Sequence, residues 1–271
     1  MVGGMRDRTP SLHPVEASHL HARRERVFLV LAGLFLGSMA MLNIIGITRF
    51  IHVGPLALAV GVLPYPLTFL CTDLISELYG QKRANTVVWV GLVINFLIIG
   101  TLWLGQALPG VPPESQPPWQ VLQLAEPVYL PDGSEMSQQG ELFSIIYACT
   151  AGAVFASMAA YMAAQFCDVW LFHFWKRLTK GKHLWLRNNG STMVSQLVDS
   201  VVVIGLTFGA AFLRGEQTLR AMLVLLASNY AFKLVAALLD TGPFYLGVHY
   251  LSRYLEIDPL EEHDADVEAA G

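Results

Sequence analysis

Ionisable and amide side chains recur in this 271-residue chain within stretches that are otherwise apolar, and they come in pairs at helical spacing. Asp73 and Glu77 are four residues apart, with Thr68 and Thr72 on or beside the same face. Gln165 and Asp168 are three apart, and so are Gln196 and Asp199. Asn229 and Lys233 are four apart, and Asp240 follows seven residues later. Residues three or four apart share one helix face, so each pair aims its polar groups in one direction. An ionisable group inside a membrane span costs about 2.5–3.5 kcal/mol on insertion scales and by default marks a functional site. One lysine, several carboxylates and two glutamines on different spans therefore point to a polar cavity between helices, one that binds a polar solute or carries protons. Structural readings stand beside this one. Asp73 and Glu77 lie near the end of their span, where Lys82 and Arg83 can pair with them in water. Lys176 or Arg177 can do the same for Asp168. Asp199 and Lys233 can form an ion pair that only holds helices together, and Asn43 and Asn95 suit interhelical hydrogen bonds.

The elements that must carry these groups are transmembrane helices. Of the chain, 54% is hydrophobic and 14% charged, against about 25% charged for a soluble domain. A bilayer core of about 30 Å needs roughly 20 apolar residues per helix. Six runs are candidates: Val27–Ile47, Pro55–Leu78, Thr86–Leu108, Leu142–Phe166, Thr192–Leu213 and Ala221–Leu251. Pro64-Tyr65-Pro66 breaks the second and Gly242-Pro243 the sixth, each beside ionisable residues; discontinuous helices of this kind mark sites in transporters. Gly33, Gly37 and Ala40 give the first span a close-packing face, for a partner helix or for a neighbour in the same chain.

The basic residues set the orientation. With both termini inside, the inner segments hold Arg6, Arg8, Arg23, Arg24, Arg26, Lys82, Arg83, Lys176, Arg177, Lys180, Lys182, Arg187 and Arg253. The outer ones hold only Arg49, Arg214 and Arg220. The organisation expected is a cytoplasmic tail over 1–26, a six-helix domain over 27–251 and an acidic cytoplasmic tail over 252–271. An external loop over 109–140, without Lys or Arg, should have little regular structure. The cytoplasmic loop over 168–190 mixes Trp and Phe with Lys and Arg, as a helix extension followed by an interfacial segment at anionic lipid. Such a mixture beside several spans reads as membrane contact, with no nucleic-acid partner. No cleavable signal peptide is evident.

Enzyme chemistry finds no support. There is no Ser/His/Asp, His-Glu-x-x-His or Gly-x-Ser-x-Gly arrangement, no phosphate-binding loop, and no metal spacing among Cys71, Cys149 and Cys167, which read as small buried hydrophobes. No catalytic residue, metal or cofactor is expected.

The stretch Pro64-Tyr-Pro-Leu-Thr-Phe-Leu-Cys-Thr-Asp-Leu-Ile-Ser-Glu-Leu-Tyr-Gly80-Gln-Lys-Arg-Ala84 resembles the signature of the queuosine precursor transporter family, also described as vitamin-uptake-transporter-like. A second block is similar: Ala164-Gln165-Phe-Cys-Asp168, Lys182 to Thr192, and Ser195-Gln196-Leu-Val-Asp199-Ser200. A weaker third is Tyr230-Ala-Phe-Lys233 with Gly242-Pro243-Phe-Tyr245. The long Pro-rich outer loop departs from the family pattern. So does Phe143-Ser-Ile-Ile, where an arginine belongs. The resemblance implies an all-α protein of six spans, similar to the substrate-binding component of energy-coupling-factor transporters. It also implies import of a 7-deazaguanine (preQ0, preQ1 or queuine) across the inner membrane. The residue chemistry agrees: a carboxylate accepts from the N1/N2 edge of such a base, Gln or Asn pairs with another edge, and a lysine suits O6. Tyr65, Phe69 or Tyr230 can stack on the base. The substrate-binding residues expected are Asp73, Glu77, Gln165, Asp168, Gln196, Asp199, Asn229 and Lys233, with Glu77 and Asp168 also suited to a cytoplasmic gate. The expected partners are the bilayer, a nucleobase-like solute, and a second copy or a coupling ATPase docked on the first helix.

Overall fold

With no water to satisfy them, backbone polar groups in a bilayer must pair within their own helix. The apolar runs here accordingly form long helices. The computed structural model describes residues 14–112, 115–130, 133–137, 139–178 and 184–257. Helix α1 covers Pro14–Ile45. Strands β1 (Phe50–Val53) and β2 (Leu56–Ala59) then form an antiparallel hairpin, followed by a 3₁₀ turn over Val60–Val62. Helix α2 runs Tyr65–Ala107, α3 Leu142–Leu178, α4 Leu184–Leu213 and α5 Leu219–Leu255. Between α2 and α3, β3 (Val121–Gln123) pairs with β6 (Gln139–Glu141), and β4 (Val128–Tyr129) with β5 (Glu135–Met136). The loop over 109–140 thus has more regular structure than its composition suggested.

Five described helical segments are long and apolar enough to cross a membrane: Ser18–Ile45, Lys82–Ala107, Leu142–Ala164, Met193–Leu213 and Leu219–Leu255. The second expected span, Pro55–Leu78, is not one of them. Its first residues are hairpin and 3₁₀ turn, and only an arm over 65–79 is helical. At 1.5 Å per residue that arm is about 22 Å long, short of the bilayer core.

Three backbone features differ from the sequence reading. Pro64-Tyr65-Pro66 starts a helix rather than interrupting one. Pro64 is the N-cap and proline occupies the first turn, where its missing N–H costs nothing. The break in α2 lies at Gly80 instead, with φ 79° and ψ 165°, a region open essentially to glycine alone. Gly242-Pro243 does not interrupt α5, which runs through Pro243 as one helix. Proline forfeits one hydrogen bond there, and the neighbouring turns hold the axis.

The 65–79 arm is the centre of the core. Cys71, Leu74, Ile75, Leu78 and Tyr79 meet Leu31, Ala32 and Phe35 of α1, Ala84 and Val87 beyond the break, and Leu255 and Ile257 at the end of α5. The face of the arm that enters this core is apolar, as a lipid-facing surface would also be, which is why the segment reads as a span. Gly61 makes the hairpin connection close on α1: its N–H donates to the Gly46 carbonyl at 3.0 Å. A Cβ on Gly61 would lie 2.7 Å from Gly46 Cα. Asn43 Nδ2 donates to Asn95 Oδ1 at 2.8 Å, both side chains buried, joining α1 to the second arm of α2. At the opposite end Arg24 donates through Nε to the Leu255 carbonyl at 2.9 Å and through a guanidinium N–H to that of Glu256 at 2.6 Å. These bonds satisfy C-terminal carbonyls of α5. The Tyr79 hydroxyl donates to the Arg24 carbonyl at 2.9 Å, and Arg83 pairs with Glu25 at 2.8 Å. Gly33 and Gly37 have no heavy atom within 4 Å of a built Cβ, so among the described residues nothing packs on that face.

Candidate functional site

Three elements converge where α5 bridges the start of the 65–79 arm and α4. On α4, Gln196 and Asp199 are three residues apart, and Ser200 lies four beyond Gln196, so all three share a face. On α5, Asn229 and Lys233 do the same. Of the eight expected site residues, four meet here: Gln196, Asp199, Asn229 and Lys233. The Lys233 ammonium forms an ion pair with Asp199 Oδ2, with side chains 4% and 16% exposed. Asn229 Nδ2 donates to Ser200 Oγ at 3.4 Å.

Tyr65, for which the sequence suggested only stacking, links the two halves. Its hydroxyl donates to Gln196 Oε1 at 2.8 Å. Its ring lies under the Lys233 ammonium, 4.7 Å from Nζ to centroid, and meets the Phe69 ring edge-on at 4.5 Å. Pro64 and Pro66 fix the backbone at this first turn, and Thr68 Oγ1 donates to the Tyr65 carbonyl at 2.6 Å. The signal was present in the sequence: an aromatic between two prolines at a helix start, among apolar residues.

The hairpin closes one side. The Ala57 N–H donates to Ser228 Oγ at 3.3 Å, one residue before Asn229, and Leu58 is fully buried. The Tyr230 hydroxyl donates to the Met193 carbonyl at 3.2 Å, tying α5 to α4. The other expected residues lie elsewhere. Asp73, exposed, and Glu77, half-buried, are on the 65–79 arm toward its Gly80 end. About 12 Å of helix rise separates Asp73 from Tyr65. Gln165 and Asp168 belong to α3, and their side chains lie outside the described residues. Asp240 is two turns beyond Lys233 on α5, with a buried Oδ2 that has no hydrogen-bond partner among the described residues.

The cluster's donors and acceptors suit a small, neutral, flat solute. A carboxylate offers acceptors, an amide offers either, and two aromatic rings offer faces. The buried ammonium and carboxylate neutralise each other, so an uncharged ligand adds no net charge. Among the described residues no group of three or more His, Cys, Asp or Glu could hold a metal.

The family model described as "Putative vitamin uptake transporter" matches residues 59–247, more than half of the chain. The chain belongs to this family. The family is described as one of transporters rather than enzymes, and the five long apolar helices suit a multi-pass membrane protein. The matched region starts in β2 and takes in Tyr65, Gln196, Asp199, Asn229 and Lys233. A curated relative from Bacillus subtilis (strain 168), named "Probable queuosine precursor transporter", is 25% identical over 167 residues, 60% of this chain. The match spans 61% of that relative's length. No solved structure matches.

Proposed function

We propose that this protein imports a queuosine precursor, a 7-deazaguanine such as preQ0, preQ1 or queuine, across the inner membrane. The observation that carries the reading is the cluster of Tyr65, Gln196, Asp199 and Lys233, buried among the helices of a vitamin-uptake-type transporter. The relative's name supplies the substrate class. Asp199 accepts from the N1 and N2 hydrogens of the base, and Gln196 addresses its other polar edge. The base lies against Tyr65 or Phe69, a contact of about 1–3 kcal/mol per base in nucleic-acid systems. Asp73 and Glu77, nearer the Gly80 end of the 65–79 arm, serve the cytoplasmic side of this site.

In this reading the membrane is crossed six times, the 65–79 arm and its hairpin making the second crossing, with both termini cytoplasmic. The distribution of Lys and Arg, thirteen against three, supports that orientation. On this reading the fold is of the kind used by the substrate-binding component of energy-coupling-factor transporters. A second reading, a substrate-binding subunit served by a separate ATPase, has one observation in its favour: the unoccupied Gly33/Gly37 face of α1. Co-purification of an ATPase, with uptake lost in its absence, would establish that version.

The test of the main proposal is queuosine in the tRNA of a precursor-dependent cell without its own transporter. The wild-type chain should restore it. Asp199→Ala, present in the membrane at equal amount, should not. Rescue by Asp199→Ala at the wild-type level overturns the site assignment.

A further inference from the structure

The hydrogen bond from Tyr65 to Gln196 has a chemical direction, and direction decides what the site reads. Glutamine offers a carbonyl acceptor at one end of its amide and an NH2 donor at the other. Left to rotate, it accommodates a ligand acceptor and a ligand donor equally. Here Asp199 is engaged by the Lys233 ammonium, and the Tyr65 hydroxyl proton goes to Gln196 Oε1 at 2.8 Å. That bond turns the Oε1 end of the amide to Tyr65 and leaves the NH2 end directed away from the tyrosine. Gln196 is buried, so a mismatched ligand group could not turn to water instead.

The hydroxyl is itself held. The two flanking prolines, the Thr68 bond to the Tyr65 carbonyl, the edge contact with Phe69 and the ammonium over the ring leave Tyr65 little freedom. Asp199 is one turn beyond Gln196 on the same face. The α4 face therefore presents a donor from Gln196 next to the acceptors of Asp199. The complementary ligand edge carries a carbonyl acceptor beside adjacent N–H donors.

We propose that Tyr65 is a specificity-determining residue. By holding the Gln196 amide with its NH2 toward the ligand, it makes the transporter select heterocycles with an exocyclic carbonyl flanked by N–H groups and reject their amino-substituted analogues. This rests on the reading of the cluster as the base-binding site, and it assigns the carbonyl to Gln196 rather than to Lys233, which Asp199 engages. A site built for one hydrogen-bonding pattern discriminates strongly, because the wrong pattern leaves its buried groups unpaired.

The test compares two probes, 7-deazaguanine and 2,6-diamino-7-deazapurine, titrated against the purified full-length protein in detergent. The second carries an amino group where the first has its carbonyl. Wild type should bind the first at least tenfold more tightly. Tyr65→Phe keeps the ring and removes only the hydroxyl, so its amide is free to turn. Its ratio of affinities should fall about tenfold below the wild-type ratio. The contribution of Asp199 is present in both proteins and cancels in that comparison, and a ratio is independent of the fraction folded. Gln196→Glu, which has no NH2 to offer, should lose the preference in the same way. Tyr65→Phe that weakens both probes equally and keeps the wild-type ratio overturns the proposal, since Tyr65 would then only pack. So does a wild type that binds both probes without preference. A wild type that binds neither overturns the base-transport reading itself, and this inference with it.

Discussion

Replacing Asp199 by alanine strands the most deeply buried charge in the cluster. The Lys233 side chain is 4% exposed and would lose its counter-ion. Two unit charges at an ordinary contact of about 3 Å attract by about 5.5 kcal/mol at an effective dielectric of 20. Desolvation has already consumed much of that gain, so the pair adds little net stability over an apolar pair of similar volume. Removing one partner is different, because the desolvation remains and the attraction goes; the cost is about 3–5 kcal/mol. The Tyr65 ring under the ammonium is present before and after and offsets nothing. Lys233→Met should cost less, since the carboxylate left behind is 16% exposed and better reached by water. The double variant Asp199→Leu/Lys233→Met removes both charges and should fall within about 2 kcal/mol of wild type, as replacements of buried pairs do. Equilibrium unfolding in mixed micelles measures the series, and the order expected is Asp199→Ala least stable, then Lys233→Met, then the double variant. A double variant destabilised by the sum of the single effects, or Asp199→Ala within 1 kcal/mol of wild type, refutes the reasoning.

Three further perturbations address the scaffold. Gly80→Ala forces a Cβ onto a backbone at φ 79° and ψ 165° and should cost about 1–3 kcal/mol in the same unfolding assay; no loss would mean that the break at Gly80 can straighten freely. Gly61→Ala puts a Cβ 2.7 Å from Gly46 Cα and 2.8 Å from the Leu42 carbonyl oxygen. Backbone on both sides cannot yield as a flexible side chain would, so the hairpin should lift from α1. Limited proteolysis should then cut near residues 50–59 at least several-fold faster than in wild type. Asn95→Ala removes the bond from Asn43, and interhelical bonds of this kind average about 0.6 kcal/mol with a maximum near 1.7. A loss in that range is expected, and a loss of several kcal/mol would show that the pair does more than join helices.

The sequence exposed the features that follow from local chemistry. Apolar length located the helices, and three- and four-residue spacing found Gln196, Asp199, Asn229 and Lys233, which the fold unites. Spacing reports which residues share a face, but not which faces meet. Asp73 and Glu77 form as good a pair as Gln196 and Asp199, yet they lie farther along their arm from Tyr65. The 65–79 arm shows a related limit. Burial by protein and burial by lipid select the same apolar residues, so apolar length did not distinguish one continuous helix from a short helix preceded by a hairpin. Tyr65 went underweighted because a tyrosine in an apolar stretch has many uses, and only the approach of α4 and α5 reveals the one made here. Gly80 lies in a run of helix-favouring residues, and nothing local says that its left-handed freedom is used.

The most direct test of the central claim is uptake itself. Purified protein reconstituted into liposomes is offered radiolabelled preQ0, preQ1 and queuine, with labelled guanine and an unrelated vitamin as controls. At least one 7-deazaguanine should enter saturably, and Gln196→Ala and Asp199→Ala proteoliposomes should abolish its entry. Entry of the vitamin without any deazaguanine, or deazaguanine uptake that survives both substitutions, would contradict the account.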